Sequence, residues 1–322
     1  MRRRFLATLG AVSLVPLSTL AQGTAWPTRV VRIVLPSAPG GPWDPLTRLL
    51  AERLAAVYGQ AFIVDNRSGA TGTLGMDAVA KASDGHTLGV IFMPHVLTPS
   101  LFKKMPYDVL RDVVPVTQTQ WSYNVLVVNP ALPVKTLDEL VAYARQRPGQ
   151  LTLLSGGNGS PAHVMGEHFK QLTKSYMVHV PYRGPVAALQ DLIGGQGDLM
   201  FANTTAAVPH IRSGRLRAIA VTSQQRLQAL PEVPTFAELG RPRFDVRDWA
   251  GIVASPSVPA DALPRLNAEI RKVLVEPAVV ERFAQMGLYL HGSSSEELAQ
   301  LMRSETQKWG EVIRVAGIQV DG

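Results

Sequence analysis

The chain of 322 residues is 46% hydrophobic and 18% charged, a balance that excludes a disordered or fibrous protein and suits two domains better than one. It has no cysteine, which removes thiol catalysis, disulfides, iron–sulfur clusters and cysteine-based zinc sites. The formal charge is +7. Without residues 1–21, which hold three Arg and no acid, it is 29 basic against 25 acidic residues with no Lys/Arg run, a pattern that argues against nucleic acid and suits small anions.

Arg2, Arg3 and Arg4 precede an apolar stretch from Phe5 to Leu20, and Thr19-Leu20-Ala21 supplies small residues at the two positions a signal peptidase reads. This basic–apolar–small order predicts a secretory signal over 1–21, cleaved near Ala21–Gln22. A membrane anchor is disfavoured, because the stretch falls short of the roughly 20 residues a span needs and contains Ser13, Pro16 and Ser18. The arginines also fit a twin-arginine pattern, so the general and twin-arginine routes both stay open. The mature chain is read as soluble and exported.

Short apolar runs then alternate with helical periodicity. A strand is predicted over 30–35, then a helix with Leu46, Leu49, Leu50 and Leu54 on one face. A strand over 62–64 is followed by a helix around 74–80, and a third strand covers 87–92. The pattern restarts after Trp121 with a strand over 125–128, a helix over 136–145, a strand over 151–154 and a helix over 161–172. A strand over 177–180, a helix over 185–193 and strands over 198–201 and 217–222 follow. A Pro-rich stretch over 226–248 reads as irregular, 251–254 as a strand, and three helices over 260–275, 277–286 and 295–315 close the chain. Such alternation predicts an α/β protein with mixed, mostly parallel sheets and helices on their faces. The closing helices have no sheet of their own, so they are expected to cover the N-terminal one. That requires two crossover strands, near 122–124 and 245–251, and predicts a hinge between one lobe made of 22–123 and 250–322 and another made of 124–249.

The informative loops join strands to helices. Pro36 to Pro45 ends with Asp44 as expected N-cap and Pro45 at the first helical position. Ser155 to Pro161 ends with Ser160 and Pro161 in the same arrangement, and Tyr182-Arg183-Gly184-Pro185 repeats it. In Ser68 to Leu74, Thr71 or Thr73 can cap. Four helices thus start after Gly-rich turns at the carboxyl ends of strands, where open α/β sheets bind ligands and where free amides attract anions. Ordinary turn punctuation is the competing reading for each loop alone.

Enzyme motifs fail. Gly69, Gly72 and Gly75 are spaced GxxGxxG, no phosphate loop is present, and Ser160 lies outside a GxSxG frame. His163 and His168 are five apart, about 140° around a helix, so they do not share a metal face. His163 is expected to cap or line a cleft, and His168 and His179 to be solvated or core residues. Asp191 and Asp198 read as a polar turn. Arg183 is either a carboxylate clamp or a solvated side chain. Trp43 either stacks on a ligand or forms a lid against the other lobe. An exported hydrolase would need Ser160 with His163 as nucleophile and base.

These loops resemble the Bug-type extracytoplasmic solute receptors, the substrate-binding proteins of tripartite tricarboxylate transporters. The likeness runs from Trp26-Pro27 to Gly317-Ile318. It includes 33–41 with Asp44, 64–69 leading to Gly72 and Gly75, 159–163, 179–184, 191–201, 214–223, 231–235, and Trp309 with Val312-Ile313. The resemblance implies a two-lobe periplasmic binding protein of Venus-flytrap form, without catalysis, metal or cofactor. A small organic carboxylate would be held by one turn from each lobe, and the membrane components of the transporter would be its partners. Carried over, the first turn is Pro39, Gly40 and Gly41 with Asp44, beside Ser37, and the facing turn is Asn158, Gly159 and Ser160 with His163. Tyr182 and Arg183 stand where the family usually begins Tyr-Lys-Gly, Pro42-Trp43 where smaller residues are usual, and Thr71 where Gly is common. Asn203, with Thr204, is placed at the distal end of the ligand. A monomer is expected, and the same fold used as a sensor for a membrane kinase is the alternative.

Overall fold

The computed structural model describes residues 26–242 and 244–320, so the expected signal over 1–21 lies outside the described residues. Strands β1 (Val31–Leu35), β2 (Phe62–Asn66) and β3 (Thr87–Phe92) are parallel, with β1 in the middle. Helix α1 (Asp44–Tyr58) returns from β1 and buries Leu46, Leu50, Ala51 and Leu54. Helix α2 (Thr73–Ala80) returns from β2 and buries Met76 and Val79 in a separate core cluster. Helix α3 (Met93–Leu101) starts at the last residue of β3 with no intervening turn.

The long β4 (Val114–Val128) then leaves this group. Up to Tyr123 it pairs with β9 (Arg247–Ala254), and from Asn124 it pairs with β7 (Leu199–Asn203), with β8 (Arg217–Val221) also along its end. In the second group β5 (Thr152–Ser155) lies parallel between β7 and β6 (Val178–Pro181). Helices α4 (Leu137–Gln146), α5 (Pro161–Thr173), α6 (Pro185–Ile193) and α7 (Thr204–Arg212) belong to this half. The strand order β2-β1-β3-β9-β4-β7-β5-β6 is parallel in its outer strands and antiparallel in the middle, where β4 and β9 run between the groups. The fold is mixed α/β.

The chain ends with α8 (Ala262–Leu274), α9 (Pro277–Gln285), the short β10 (Tyr289–Leu290) on β4, and α10 (Ser295–Ala316). Helices α8 and α9 bury Leu266, Ile270 and Phe283 with residues of β1 and β3, as the sequence predicts. Helix α10 does more. Its Leu298, Met302 and Trp309 share one core with Leu97 and Leu101 of α3 and with Val164 and Phe169 of α5. Trp309 is fully buried, so its truncation would cost about 3–5 kcal/mol. No helix among the described residues is long and apolar enough to cross a membrane.

Three elements and the first part of β4 lie outside the elements predicted from the sequence. Helix α3 contains Pro94 and Pro99, and α7 contains Pro209. The short β10 is a two-residue pairing. In β4, Thr117, Thr119, Gln120 and Ser122 are polar yet buried, so the stretch lacks the apolar alternation that marks a strand.

Candidate functional site

The first turn follows β1. Gly40 takes φ of +75° and donates its amide to Asp44 Oδ2 at 3.1 Å, while the Gly41 amide reaches Ala38 O at 3.4 Å. Asp44 is the first residue of α1, and Trp43 precedes the helix without a side-chain cap. The expected N-cap is therefore corrected: the Asp44 carboxylate turns back onto its own loop. It also accepts Arg48 Nε at 2.9 Å and Asn66 Nδ2 at 3.3 Å. Burial pushes this carboxyl up, but the bonds from Arg48, Gly40 and Asn66 outweigh it and hold it below the ordinary carboxylate range. Trp43 is 9% exposed and stacked on Phe92 at 6.0 Å between centroids. Its ring belongs to the core of its own half, with Phe92 at the end of β3 packed on it. Ser37 Oγ is buried with no hydrogen-bond partner among the described residues.

The second turn follows β2. Gly69, Ala70, Thr71 and Gly72 all have positive φ, of 129°, 46°, 57° and 87°, and Gly72 N–H closes on Gly69 O at 2.9 Å. Neither Thr71 nor Thr73 caps α2, which starts after Gly72 with no side-chain cap. Gly72 is required here, since a Cβ would stand 2.4 Å from His95 Nε2 and 3.3 Å from Pro36 Cβ. His95 is fully buried and its Nδ1 accepts the Phe92 amide at 3.1 Å, and burial pushes its pKa down to about 3.

In the second half, the turn after β5 is pinned by imidazoles. The Gly159 amide donates to His163 Nδ1 at 3.1 Å, and Ser160 Oγ accepts the His163 amide at 3.4 Å, so Ser160 caps α5 as expected. The His163 ring stacks on His179 at 3.5 Å, and His179 Nε2 lies 2.6 Å from Ser155 Oγ. Burial first, and then the neighbouring His163 imidazole, push His179 down to about 4. His163 Nε2 lies 3.6 Å from Glu167, which meets Lys170 at 2.5 Å. Ser160 Oγ meets the His163 backbone amide, and among the described residues it shares no hydrogen bond with the His163 ring. His168 packs on Phe244 and Trp309, away from His163. Tyr182 and Gly184 return amides to Ser155 O and Gly156 O, which joins their turn to the one after β5. Arg183 is exposed and has no ion pair among the described residues. Asp198 accepts from Thr152, whereas Asp191 faces the Tyr182 hydroxyl, so the two acids serve separate turns.

Asn203 is occupied elsewhere. Its Oδ1 accepts the Thr205 amide at 3.0 Å, and its Nδ2 donates to Ser122 Oγ at 2.8 Å and Asp248 Oδ2 at 3.4 Å. Asp248 also accepts Asn124 Nδ2 at 3.1 Å, and burial keeps its carboxyl above the ordinary range against these two bonds. Asn203 thus ties β7 to the crossing strands.

Helix α3 connects the two halves' turns. His95 presses on Gly72, and a Cβ on Gly159 would stand 2.7 Å from Leu101 Cδ1. Six residues of α-helix separate His95 from Leu101, about 9 Å of rise. Sequence reasoning missed this helix and both His95 and Leu101. The available signal was Pro94 two residues past the end of a strand, the same Pro-start used by the other loops. The amides of Gly40, Gly41, Gly159 and Ser160 are all spent within their own turns. Among the described residues, those of Ala38, Trp43, Thr71 and Asn158 have no protein acceptor. A set of such donors, each worth about 1.5–3 kcal/mol to a charged acceptor, suits a carboxylate.

A family model described as tripartite tricarboxylate transporter family receptor matches residues 46–318. The chain is similar to BugT of Bordetella pertussis, 36% identical over 319 residues, 98% of this chain and 96% of that protein. Among solved structures it is similar to an R. palustris protein with adipate, at 33% identity and TM-score 0.81, covering 92% of this chain and all of the other. It is also similar to the periplasmic binding protein BugD, at 30% identity and TM-score 0.78 over 92% of this chain and 100% of that one. A Rhodopseudomonas palustris protein with bound malate matches at 32% identity and TM-score 0.77 over 89% of this chain and 100% of that one.

Proposed function

The chain belongs to the tripartite tricarboxylate transporter receptor family, and from that premise we propose that it binds a small organic carboxylate between its two strand groups and presents it to the membrane components of such a transporter. The observation that carries the reading is the family match over 46–318, which takes in β2, β3, the second strand group and the crossing strands, together with the likeness to BugT over 98% of this chain, which extends it toward β1 and the first turn. Adipate and malate in two similar structures support a dicarboxylate of about that size. The lobes are taken as 22–123 with 250–322, and 124–249, hinged at β4 and β9. Ser37, Thr71, Asn158, Tyr182 and Arg183, with the amides of Ala38 and Trp43, line the gap. Pro39, Gly40, Gly41, Asp44, Gly159, Ser160 and His163 hold the turns that present them. Contacts made only when the gap is shut favour the shut form, so binding and closure are one equilibrium. The protein works as a monomer in the periplasm and carries out no chemical step, in keeping with the solute-binding relatives.

A thermal-shift panel of adipate, malate, succinate, citrate and benzoate at 1 mM tests this. A ligand held at about 10 μM would add about 2.7 kcal/mol, a rise of several degrees. If no acid moves the melting temperature or the tryptophan fluorescence, the carboxylate reading is wrong.

A further inference from the structure

The turn at 69–72 is strained in a way the other turns are not. Ala70 and Thr71 occupy the left-handed region at φ of 46° and 57°, with Gly69 and Gly72 on either side and the Gly72–Gly69 bond closing the turn. This geometry has positive φ at both central positions, which normally selects glycine or asparagine. A β-branched residue there is an outlier, and such outliers persist where the surroundings over-determine them and are concentrated at ligand grips. The surroundings here are explicit. Gly72 is wedged between His95 and Pro36, and a Cβ on Gly75 would lie 2.8 Å from Pro36 Cβ and from Arg67 O. The Arg67 amide is tied to Leu35 O at 2.9 Å. The turn therefore cannot retreat from the first turn, which begins at that same Pro36. Thr71 is half-buried, yet neither its hydroxyl nor its amide has a protein partner among the described residues. Ala70 beside it is exposed and has no side-chain polar group.

We propose that Thr71 is a specificity-determining residue, held by backbone strain against the bound carboxylate, whose hydroxyl and methyl decide which acids fit the first half. This rests on the carboxylate reading and names the residue that tunes it. Glycine at 71 would free the backbone and empty the side-chain space together. Glycine at 70 would relieve comparable strain without changing any group offered to the ligand, and serine at 71 would keep the hydroxyl alone.

The test is calorimetric titration of the wild-type mature chain and of Thr71→Gly, Thr71→Ser and Ala70→Gly with adipate, malate, succinate, citrate and benzoate, alongside melting of the ligand-free proteins. Both glycine variants should melt about 2 °C higher than wild type. Thr71→Gly should change the ratio of affinities between the two best-bound acids at least tenfold, Thr71→Ser should shift it less, and Ala70→Gly should keep it within twofold. Wild-type binding with every affinity of Thr71→Gly within twofold of wild type overturns this proposal and leaves the carboxylate reading intact. Equal changes in Thr71→Gly and Ala70→Gly also overturn it, because backbone freedom alone would then be responsible. If wild type binds none of the five acids, the carboxylate reading fails first and the proposal falls with it.

Discussion

The two halves fix their glycine turns by different chemistry. In the first half a carboxylate does it: Asp44 takes the Gly40 amide, Arg48 and Asn66 on its two oxygens. In the second an imidazole does it: His163 takes the Gly159 amide on Nδ1 and leans on His179. A carboxylate held below its usual range keeps its charge, and so its acceptor oxygens, through mildly acidic conditions. An imidazole accepts only while the nitrogen concerned is unprotonated. The grip of the two halves is therefore expected to respond differently to acid and to substitution.

Asp44→Ala should have the largest effect. It strips three donors of their acceptor at a site 6% exposed, for about 3 kcal/mol of stability and a melting loss on the order of 5 °C. Asp44→Asn retains one acceptor oxygen and should lose less. A neutral result for Asp44→Ala in urea unfolding would mean the first turn holds itself. His163→Ala should follow at about 2 kcal/mol, from the orphaned Gly159 amide and the lost ring contact. His163→Asn places an oxygen where Nδ1 stands and should recover roughly half. If asparagine is no better than alanine, the stack on His179 matters and the hydrogen bond does not.

Acid titration sharpens the contrast. Histidine in the unfolded chain titrates near 6.5, whereas His179 is pushed down to about 4 and His95 to about 3 in the fold. The folded state thus binds fewer protons than the unfolded state below pH 6.5. Stability from these groups is complete above that value and is lost as pH falls through about 4, with a slope of at most about 1.4 kcal/mol per pH unit per group. Asp44 contributes above the normal carboxylate range and is lost only below it. Urea unfolding at pH 7, 6, 5 and 4.5 should show stability falling across the series, and His179→Asn should flatten it. An unchanged slope in that variant would assign the acid sensitivity to other groups, His95 and His210 among them.

Local punctuation made much of this legible. The strand over 87–92 and the helix starts at Pro161 and Pro185 are where glycine, proline and Ser160 predict them, because those residues act on their own backbone. Partnerships were not legible. Nothing near Asp44 in the chain says that its carboxylate accepts from Asn66, or that Trp43 meets Phe92, since those contacts form only when β1, β2 and β3 align. The site was read as a list of glycine amides, and the fold spends most of them internally. Which donors remain depends on such long-range pairings. Helix α3 was missed for a related reason: Pro99 reads locally as a break, while the stability of the helix comes from a core shared with α5 and α10.

The smallest expected effect tests that helix as the element linking the two turns. Gly159 has φ of +72°, and a Cβ there would stand 2.7 Å from Leu101 Cδ1 and 3.1 Å from Val320 Cγ2. Gly159→Ala combines left-handed strain of about 1 kcal/mol with a contact that a flexible leucine end can partly yield. Leu101→Ala alone opens a buried site and costs about 2–5 kcal/mol. The two penalties partly cancel when combined, because the space left by Leu101 admits the new methyl. The double variant should therefore be more stable than the sum of the single losses by about 0.5–1 kcal/mol, the remainder being backbone strain that no change in α3 can relieve. Strict additivity in a double-mutant cycle would mean that α3 and the second-half turn do not press on one another, and the distance between the two halves' turns would then be set by β4 and β9 alone.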